Sequence, residues 1–241
     1  MIVSIHQPPY LPWLGLLEKI ALSDRFVILD NVQYNARAFQ HRTLYSCDGG
    51  ARYLSLAVHS RGHQAKCTKI ANITLADSTM PRRHYETLRH RYGRRPGWRM
   101  IAAELGEILT SGRDSLLDLN VALLKLTLER FDVRTDLLLA SSLGASGRKD
   151  ELMLELTRAA GGSAYLSGTG AKAYMDESKF SRAQVPVYWQ AFEHPIYRQS
   201  ITGPFQAGCF ALEWIIEDPD HAVAGFHAHV KAMGRLCGII K

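Results

Sequence analysis

The chain has 241 residues, 46% of them apolar and 22% charged, the proportions of an ordinary globule, which exclude disordered, collagen-like and coiled-coil classes. Its four cysteines, Cys47, Cys67, Cys209 and Cys237, are too scattered for a disulfide framework and form no C-x-x-C zinc knuckle. The formal charge of +6 is local: Arg82 to Arg99 carries seven arginines against one acid, Glu86, and the rest of the chain is balanced. No apolar run approaches the roughly 18 residues of a membrane span. Met1 to His6 lacks the basic and long apolar regions of a signal peptide, so a soluble cytoplasmic protein is expected.

Ile2 to Ile5 and Arg25 to Leu29 read as short strands, and Trp13 to Leu22 between them has apolar residues at helical spacing. Strand, helix and strand in so short a span form the βαβ pattern, so the two strands are expected side by side and parallel. Arg42 to Ser46 and Arg52 to Val58 flank Asp48-Gly49-Gly50, a hairpin signal. Ile70 to Leu75 reads as another strand. From Pro81 to Phe131 the period becomes helical. Pro81 opens the run, Pro96-Gly97 and Ser111-Gly112 break it, and a cap at Asp114 restarts it before Leu116. The α/β alternation then returns. Leu137 to Ala140 is a strand, and Lys149 to Ala160 a helix stopped at Gly161-Gly162. Ala164 to Leu166 is a strand, Tyr174 to Phe180 a helix, Val185 to Gln190 a strand, and a last helix follows Pro219. The expected architecture is a single α/β domain over 1–241. It has a mostly parallel, Rossmann-like sheet, a β-hairpin, and residues 80–132 as a helical insertion.

His6-Gln7-Pro8-Pro9-Tyr10-Leu11-Pro12-Trp13 lies at the carboxyl end of the first strand and runs into a helix N-terminus. In open parallel sheets ligands bind in that crevice, and helix N-termini favour anions. Packing does not require polar groups such as His6, Gln7 and Tyr10 there, although a turn that fills core with Tyr10 and Trp13 is the plainer reading. Asp30, Gln33, Tyr34, Arg37 and Arg42 follow the second strand on the same edge. Asp30 suits a general base or a ribose partner, and the two arginines suit phosphate or carboxylate; a turn cap and solvated arginines are the bland alternative.

Ser167-Gly168-Thr169-Gly170, between a strand and a helix, suits an anion cradle. Ala171 follows, so it is no Walker loop, and a tight turn is its ordinary reading. His194, Tyr197 and Gln199 follow a further strand end, and imidazole titrates near neutrality. His6, Asp30 and His194 are thus the candidate catalytic groups. The candidate substrate-binding groups are Gln7, Tyr10, Gln33, Tyr34, Arg37, Arg42, Ser167, Gly168, Gly170, Tyr174, Tyr197 and Gln199, with one shared pocket expected. His59, His63 and Cys67 have ligand spacing within a loop, but no metal is expected. Arg82 to Arg99, interleaved with Tyr85, Tyr92 and Trp98, has the make-up of an RNA-binding stripe. A solvated helix face is the ordinary explanation, and a small molecule is the expected ligand.

The block His6-Gln7-Pro8-x-Tyr10-Leu11-Pro12-Trp13-Leu14-Gly15, followed by Lys19-Ile20, Ser23-Asp24, Leu29-Asp30, Val32-Gln33-Tyr34 and Arg42, resembles the WbqC-like family. Tyr165-Leu166-Ser167-Gly168-x-Gly170-Ala171-x-x-Tyr174 and His194-Pro195-x-Tyr197-x-Gln199 resemble its later blocks, in order, so the likeness spans nearly the whole chain. Two positions depart: His41-Arg42 stands where the family has Asn-Arg, and Glu213-Trp214-Ile215-Ile216 replaces an Asp-Leu-Leu block. The resemblance implies a place in polysaccharide (O-antigen) or natural-product biosynthesis, where one member was proposed to be a glycine transferase. It implies an acyl or aminoacyl transferase, or an amide-forming enzyme, acting on an amino sugar or another polar intermediate. The donor would be activated as a thioester, as aminoacyl-tRNA held by the Arg82–Arg99 segment, or by ATP through an adenylate. The ATP route, a ligase with a nucleotidylyltransferase-like layout, is a fold-level analogy. The competing expectation is a non-catalytic binding or scaffold protein of a biosynthetic complex.

Overall fold

In the computed structural model, which describes residues 1–240, β1 (Ile2–His6), α1 (Leu14–Ala21) and β2 (Arg25–Ile28) open the chain. β1 and β2 pair in parallel, with Ser4 opposite Phe26 and His6 opposite Ile28, as the strand–helix–strand spacing predicts. A hairpin of β3 (Arg42–Cys47) and β4 (Gly50–Ser55) follows; Asp48 and Gly49 make its turn, and Gly49 and Gly50 take φ 81° and 142°, values that only glycine adopts cheaply. Three helices come next, α2 (Met80–Tyr92), α3 (Ala102–Thr110) and α4 (Leu116–Arg130). Then come β5 (Asp136–Leu139), α5 (Asp150–Ala159), β6 (Ala164–Gly168), α6 (Glu177–Arg182), β7 (Val187–Gln190), α7 (Leu212–Glu217) and α8 (Ala222–Leu236).

The main sheet has the order β5–β2–β1–β6–β7, and every pair in it is parallel. Because strand side chains alternate, the sheet feeds two cores. Val3, Ile5, Val27, Leu29 and Tyr165 pack with Leu152 and Leu156 of α5. Phe26, Ile28 and Leu166 pack with Leu17 and Ile20 of α1 and with Leu88, Leu105 and Leu123 of the helical segment. Covering both faces is what lets parallel strands be apolar throughout. The architecture is α/β, as the residue pattern predicts.

Three local expectations are corrected. Ile70 to Leu75 is not a strand: Ile70–Asn72 forms a 3₁₀ turn, because Ile70 and Ile73 are the buried pair and a spacing of three suits one such turn. Only single bridges follow, Thr74 to Ser115 and Leu75 to Val58. The cap of α4 is Ser115, whose hydroxyl accepts from the Asp118 N–H at 3.2 Å, while Asp114 is engaged through its carbonyl by Leu75. The helix expected from Tyr174 begins at Glu177, capped by the Asp176 carboxylate at the Ser178 N–H, 3.0 Å away.

The turn after β1 is braced from three directions. Asn120 of α4 donates its amide to the Pro8 and Gln40 carbonyls at 3.0 and 2.7 Å. The Ala211 N–H donates to the Pro12 carbonyl at 2.7 Å. The Thr43 hydroxyl of the hairpin donates to the Leu11 carbonyl at 3.0 Å. Leu11 itself sits at φ 46°, a left-handed conformation costing a leucine roughly 1–2 kcal/mol, which these braces and its burial offset.

The basic segment is partly inward-facing. Arg91 donates to the Ser46 and Ser200 carbonyls, both at 2.9 Å, and lies with Arg95 beside the buried Glu217 carboxylate at 4.0 and 3.7 Å. Arg89 pairs with Glu86 and Arg83 with Asp77 on the surface. No helix among the described residues is long and apolar enough to cross a membrane.

Candidate functional site

From β1 the chain moves outward through β2 to β5, then crosses to β6 and β7 on the other side of β1. The order therefore reverses between β1 and β6, where the carboxyl ends of strands in open α/β sheets form a ligand crevice. A cavity of about 530 Å³ occupies that place. β1 contributes His6, with Gln7 just after it, β6 contributes Ser167 and Gly168, and β7 contributes Gln190. Gly15 and Lys19 of α1 line it with Trp13 just before that helix, Asp150 of α5 with Lys149 just before it, and Gly170 and Tyr174 from the segment after β6.

His6 ends β1 with its side chain exposed on the cavity wall. Its Nδ1 lies 2.7 Å from the Gln7 carbonyl. A carbonyl only accepts, so Nδ1 carries the proton and Nε2 keeps its lone pair. Loss of hydration in the crevice, aided by the nearby Lys19 ammonium, pushes the imidazole pKa down to about 4, so the ring is neutral at physiological pH.

Lys19 is the residue that sequence reasoning missed. It is 5% exposed, lines the cavity floor and donates to the Ile5 carbonyl at 2.8 Å. Burial lowers its pKa to about 8, which leaves it mostly cationic near neutrality. Its signals in the sequence are its place, with Glu18, inside an otherwise apolar helical run and the Lys19-Ile20 pair within the family-like block. Glu18 is fully buried and accepts from Gln190 Nε2 at 2.9 Å and hydrogen-bonds His229 Nε2 at 2.7 Å. The same Gln190 amide donates to the Gly15 carbonyl at 2.7 Å, so one polar network ties β7 and α8 to α1 beneath the crevice.

At the opposite wall Lys149 precedes α5 with φ 53° and ψ −123°, a strained setting for a residue with a Cβ. The Asp150 carboxylate beside it is engaged by the Asp176 N–H at 3.3 Å and Lys179 at 3.6 Å. The free charge facing the cavity is thus the two lysines, and it favours an anionic ligand. Gly168 and Gly170 are not forced by backbone geometry. A Cβ at either would meet nothing within 4 Å, so their effect is to keep that wall open.

Six of the residues proposed from sequence line this cavity: His6, Gln7, Ser167, Gly168, Gly170 and Tyr174, the last 72% exposed at its mouth. The others lie elsewhere. Tyr10 is buried, its hydroxyl hydrogen-bonded to His84 Nδ1 at 2.9 Å. Asp30 is buried and accepts from the Ser141 N–H at 2.9 Å, holding the connection after β5. Tyr34 shares a hydrogen bond with His41 Nδ1 at 2.8 Å, and Gln33 donates to the Gln64 carbonyl at 3.3 Å. Arg42 donates to the Arg37 carbonyl at 2.7 Å and lies over the Phe39 and Tyr53 rings. His194 and Tyr197 belong to an aromatic cluster with Phe192, Phe205 and Trp214. Phe192 also meets Trp13 edge-on, so His194 stands one ring behind the cavity wall. Gln199 is paired with the Gln206 backbone at 2.9 and 2.7 Å. Among the described residues no three His, Cys, Asp or Glu side chains are placed to hold a metal ion.

A doubly wound parallel sheet, covered on both faces and open at its switch point, defines a Rossmann-like α/β protein with a small-molecule-sized crevice. The chain belongs to the WbqC-like protein family, whose pattern it matches over residues 7–221. It is similar to the uncharacterized protein Rv1507c of Mycobacterium tuberculosis (strain ATCC 25618 / H37Rv), 27% identical over 228 residues, which cover 91% of this chain and 96% of that one. No solved structure matches it.

Proposed function

We propose that the chain is a transferase that joins an activated acyl or aminoacyl group to the amine or hydroxyl of a polar, anionic biosynthetic intermediate such as an amino-sugar phosphate derivative. The observation that carries this reading is His6: with Nδ1 on the Gln7 carbonyl its Nε2 keeps a lone pair and has no hydrogen-bond partner in the protein, and the residue lines the crevice together with Lys19 and Lys149. In the reaction the acceptor nitrogen or oxygen attacks the acyl carbon, forming the new bond as the bond to the leaving group breaks. The acceptor proton passes to His6 Nε2 and from there to the leaving group. The two lysines hold the anionic portion, which orients the nucleophile before the step. Membership of the WbqC-like family supports a biosynthetic setting.

The test is product formation by the purified protein. Coenzyme A thioesters, or amino acids with ATP, are offered as donors and nucleotide-linked amino sugars as acceptors, and the acceptor is followed by mass spectrometry. The expected result is a mass gain equal to one acyl group, lost in His6→Ala and reduced in Lys149→Met. Binding of acceptor without turnover of any pairing, and unchanged in His6→Ala, would instead identify a carrier or scaffold.

A further inference from the structure

His6, Gln7 and Trp13 also line a second cavity, of about 430 Å³. Its remaining wall comes from the turn after β1 and from the hairpin arm, chiefly Pro9, Leu11, Ala38, Phe39 and Leu44. The polar side chains on that wall are already engaged within the protein. Gln40 donates to Gln7 Oε1 at 2.7 Å and accepts from the Asn35 N–H at 3.2 Å. The Thr43 hydroxyl is on the Leu11 carbonyl and the Tyr10 hydroxyl on His84. No Lys, Arg, Asp or Glu side chain lines the space. A ligand group here meets apolar surface, and at the junction with the crevice it meets His6.

The two cavities therefore differ in chemistry and share one imidazole. A charged group seated in the second would be stripped of water with nothing to compensate it; an apolar group gains by burial. We infer that the second cavity binds the uncharged aromatic or branched aliphatic body of the acyl group being transferred, with its carbonyl carbon at the His6 junction. The anionic acceptor fills the crevice between the lysines. This assignment rests on the transferase reading for the order of substrates, and it extends that reading: the donated acyl group is larger than acetyl or glycyl.

Fluorine NMR with para-fluorobenzamide and fluoroacetamide, neutral mimics of a large and a small acyl group, tests the cavity, and phosphorus NMR with inorganic phosphate tests the crevice. The large mimic is expected to bind wild-type protein and the small one not. Ala38→Trp, which fills the second cavity, is expected to weaken the large mimic by about tenfold or more, the scale of burying one apolar ring, and to leave phosphate unaffected. Phe39→Ala, at a half-exposed position, provides the same reading by truncation if Ala38→Trp does not give the wild-type circular dichroism spectrum. Equal binding of both mimics, insensitivity to both variants, or displacement of the large mimic by phosphate overturns the assignment. Failure of phosphate to bind while the aromatic mimic obeys these rules would count against the anionic-acceptor reading and leave the second cavity standing.

Discussion

The Asn120 side chain, on α4, donates its amide to the Pro8 carbonyl, in the turn that follows β1, across 112 positions of sequence at 3.0 Å. The same amide reaches the Gln40 carbonyl, and Gln40 in turn holds Gln7. The helical segment is thus a strut for the turn that carries His6. Asn120→Ala would leave two buried carbonyls unpaired, at about 1–3 kcal/mol each. We expect a loss of roughly 2–3 kcal/mol in urea unfolding, on the scale of a buried group left without its partner. A change indistinguishable from zero would show that the strut carries no load.

Gly15 is required by a neighbour, not by its backbone. A Cβ there would lie 2.3 Å from the Trp13 ring, so Gly15→Ala must push the indole away from its place between the two cavities. The alanine should favour α1 by up to about 1 kcal/mol on propensity, offsetting part of the clash. The expected result is a shifted Trp13 fluorescence maximum and weakened ligand binding with little change in melting temperature. Unaltered binding would mean that Trp13 does not shape the site.

His84 sets an acid limit on stability. It is 7% exposed, and burial pushes its pKa down from 6.5 to about 4, against a smaller opposing effect of its hydrogen bond to the Ser55 carbonyl. The other ring nitrogen therefore accepts from the Tyr10 hydroxyl. Between those two values the unfolded chain binds more protons than the folded one, so stability is complete above about pH 6.5 and declines as pH falls toward 4. The loss from this group is on the order of 3 to 4 kcal/mol at about 1.4 kcal/mol per pH unit. The half-buried His41 and His194, also lowered by burial, add in the same direction. His84→Gln keeps an acceptor for Tyr10 and should flatten the dependence of urea midpoint on pH; an unchanged slope would remove His84 from the account.

The arginines of the basic segment divide by burial. The Arg91 side chain is 15% exposed and faces a fully buried Glu217 carboxylate, and removing one member of such a pair costs about 3–5 kcal/mol when nothing else compensates. Arg95 and the Ser200 hydroxyl still reach Glu217, so Arg91→Gln should cost roughly half of that range. Arg82, Arg94 and Arg99 are exposed, and their replacement by Gln should change stability by no more than about 0.5 kcal/mol. Equal effects from the two groups in thermal unfolding would refute the division.

The sheet was legible in the residues because strand periodicity and βαβ spacing are local signals. Ile2 to Ile5 and Arg25 to Leu29 could be read as adjacent parallel strands, and His6 as standing at a ligand-binding edge. The cluster Ile70 to Ile73 was not legible, since buried residues three apart fit a 3₁₀ turn and a short apolar strand equally well. The membership of the crevice divided in the same way. His6, Ser167 and Gly168 are the ends of strands and Gln7 is the next residue after one, and a strand end has a fixed place along the sheet edge. Asp30, Gln33, Tyr34, His194 and Tyr197 lie just beyond strand ends, where periodicity stops, and their direction depends on contacts with Ser141, Gln64, His41 and an aromatic cluster remote in sequence. Lys19 and Lys149 entered the crevice for the same reason. One reaches back along a buried helix to the Ile5 carbonyl, and the other is turned by a left-handed backbone at the start of α5. The sequence by itself determined the strands, their parallel pairing and the edge at which a ligand would sit. Only tertiary packing, through long-range hydrogen bonds and ring contacts, decided which polar side chains face that edge and which are enclosed behind it.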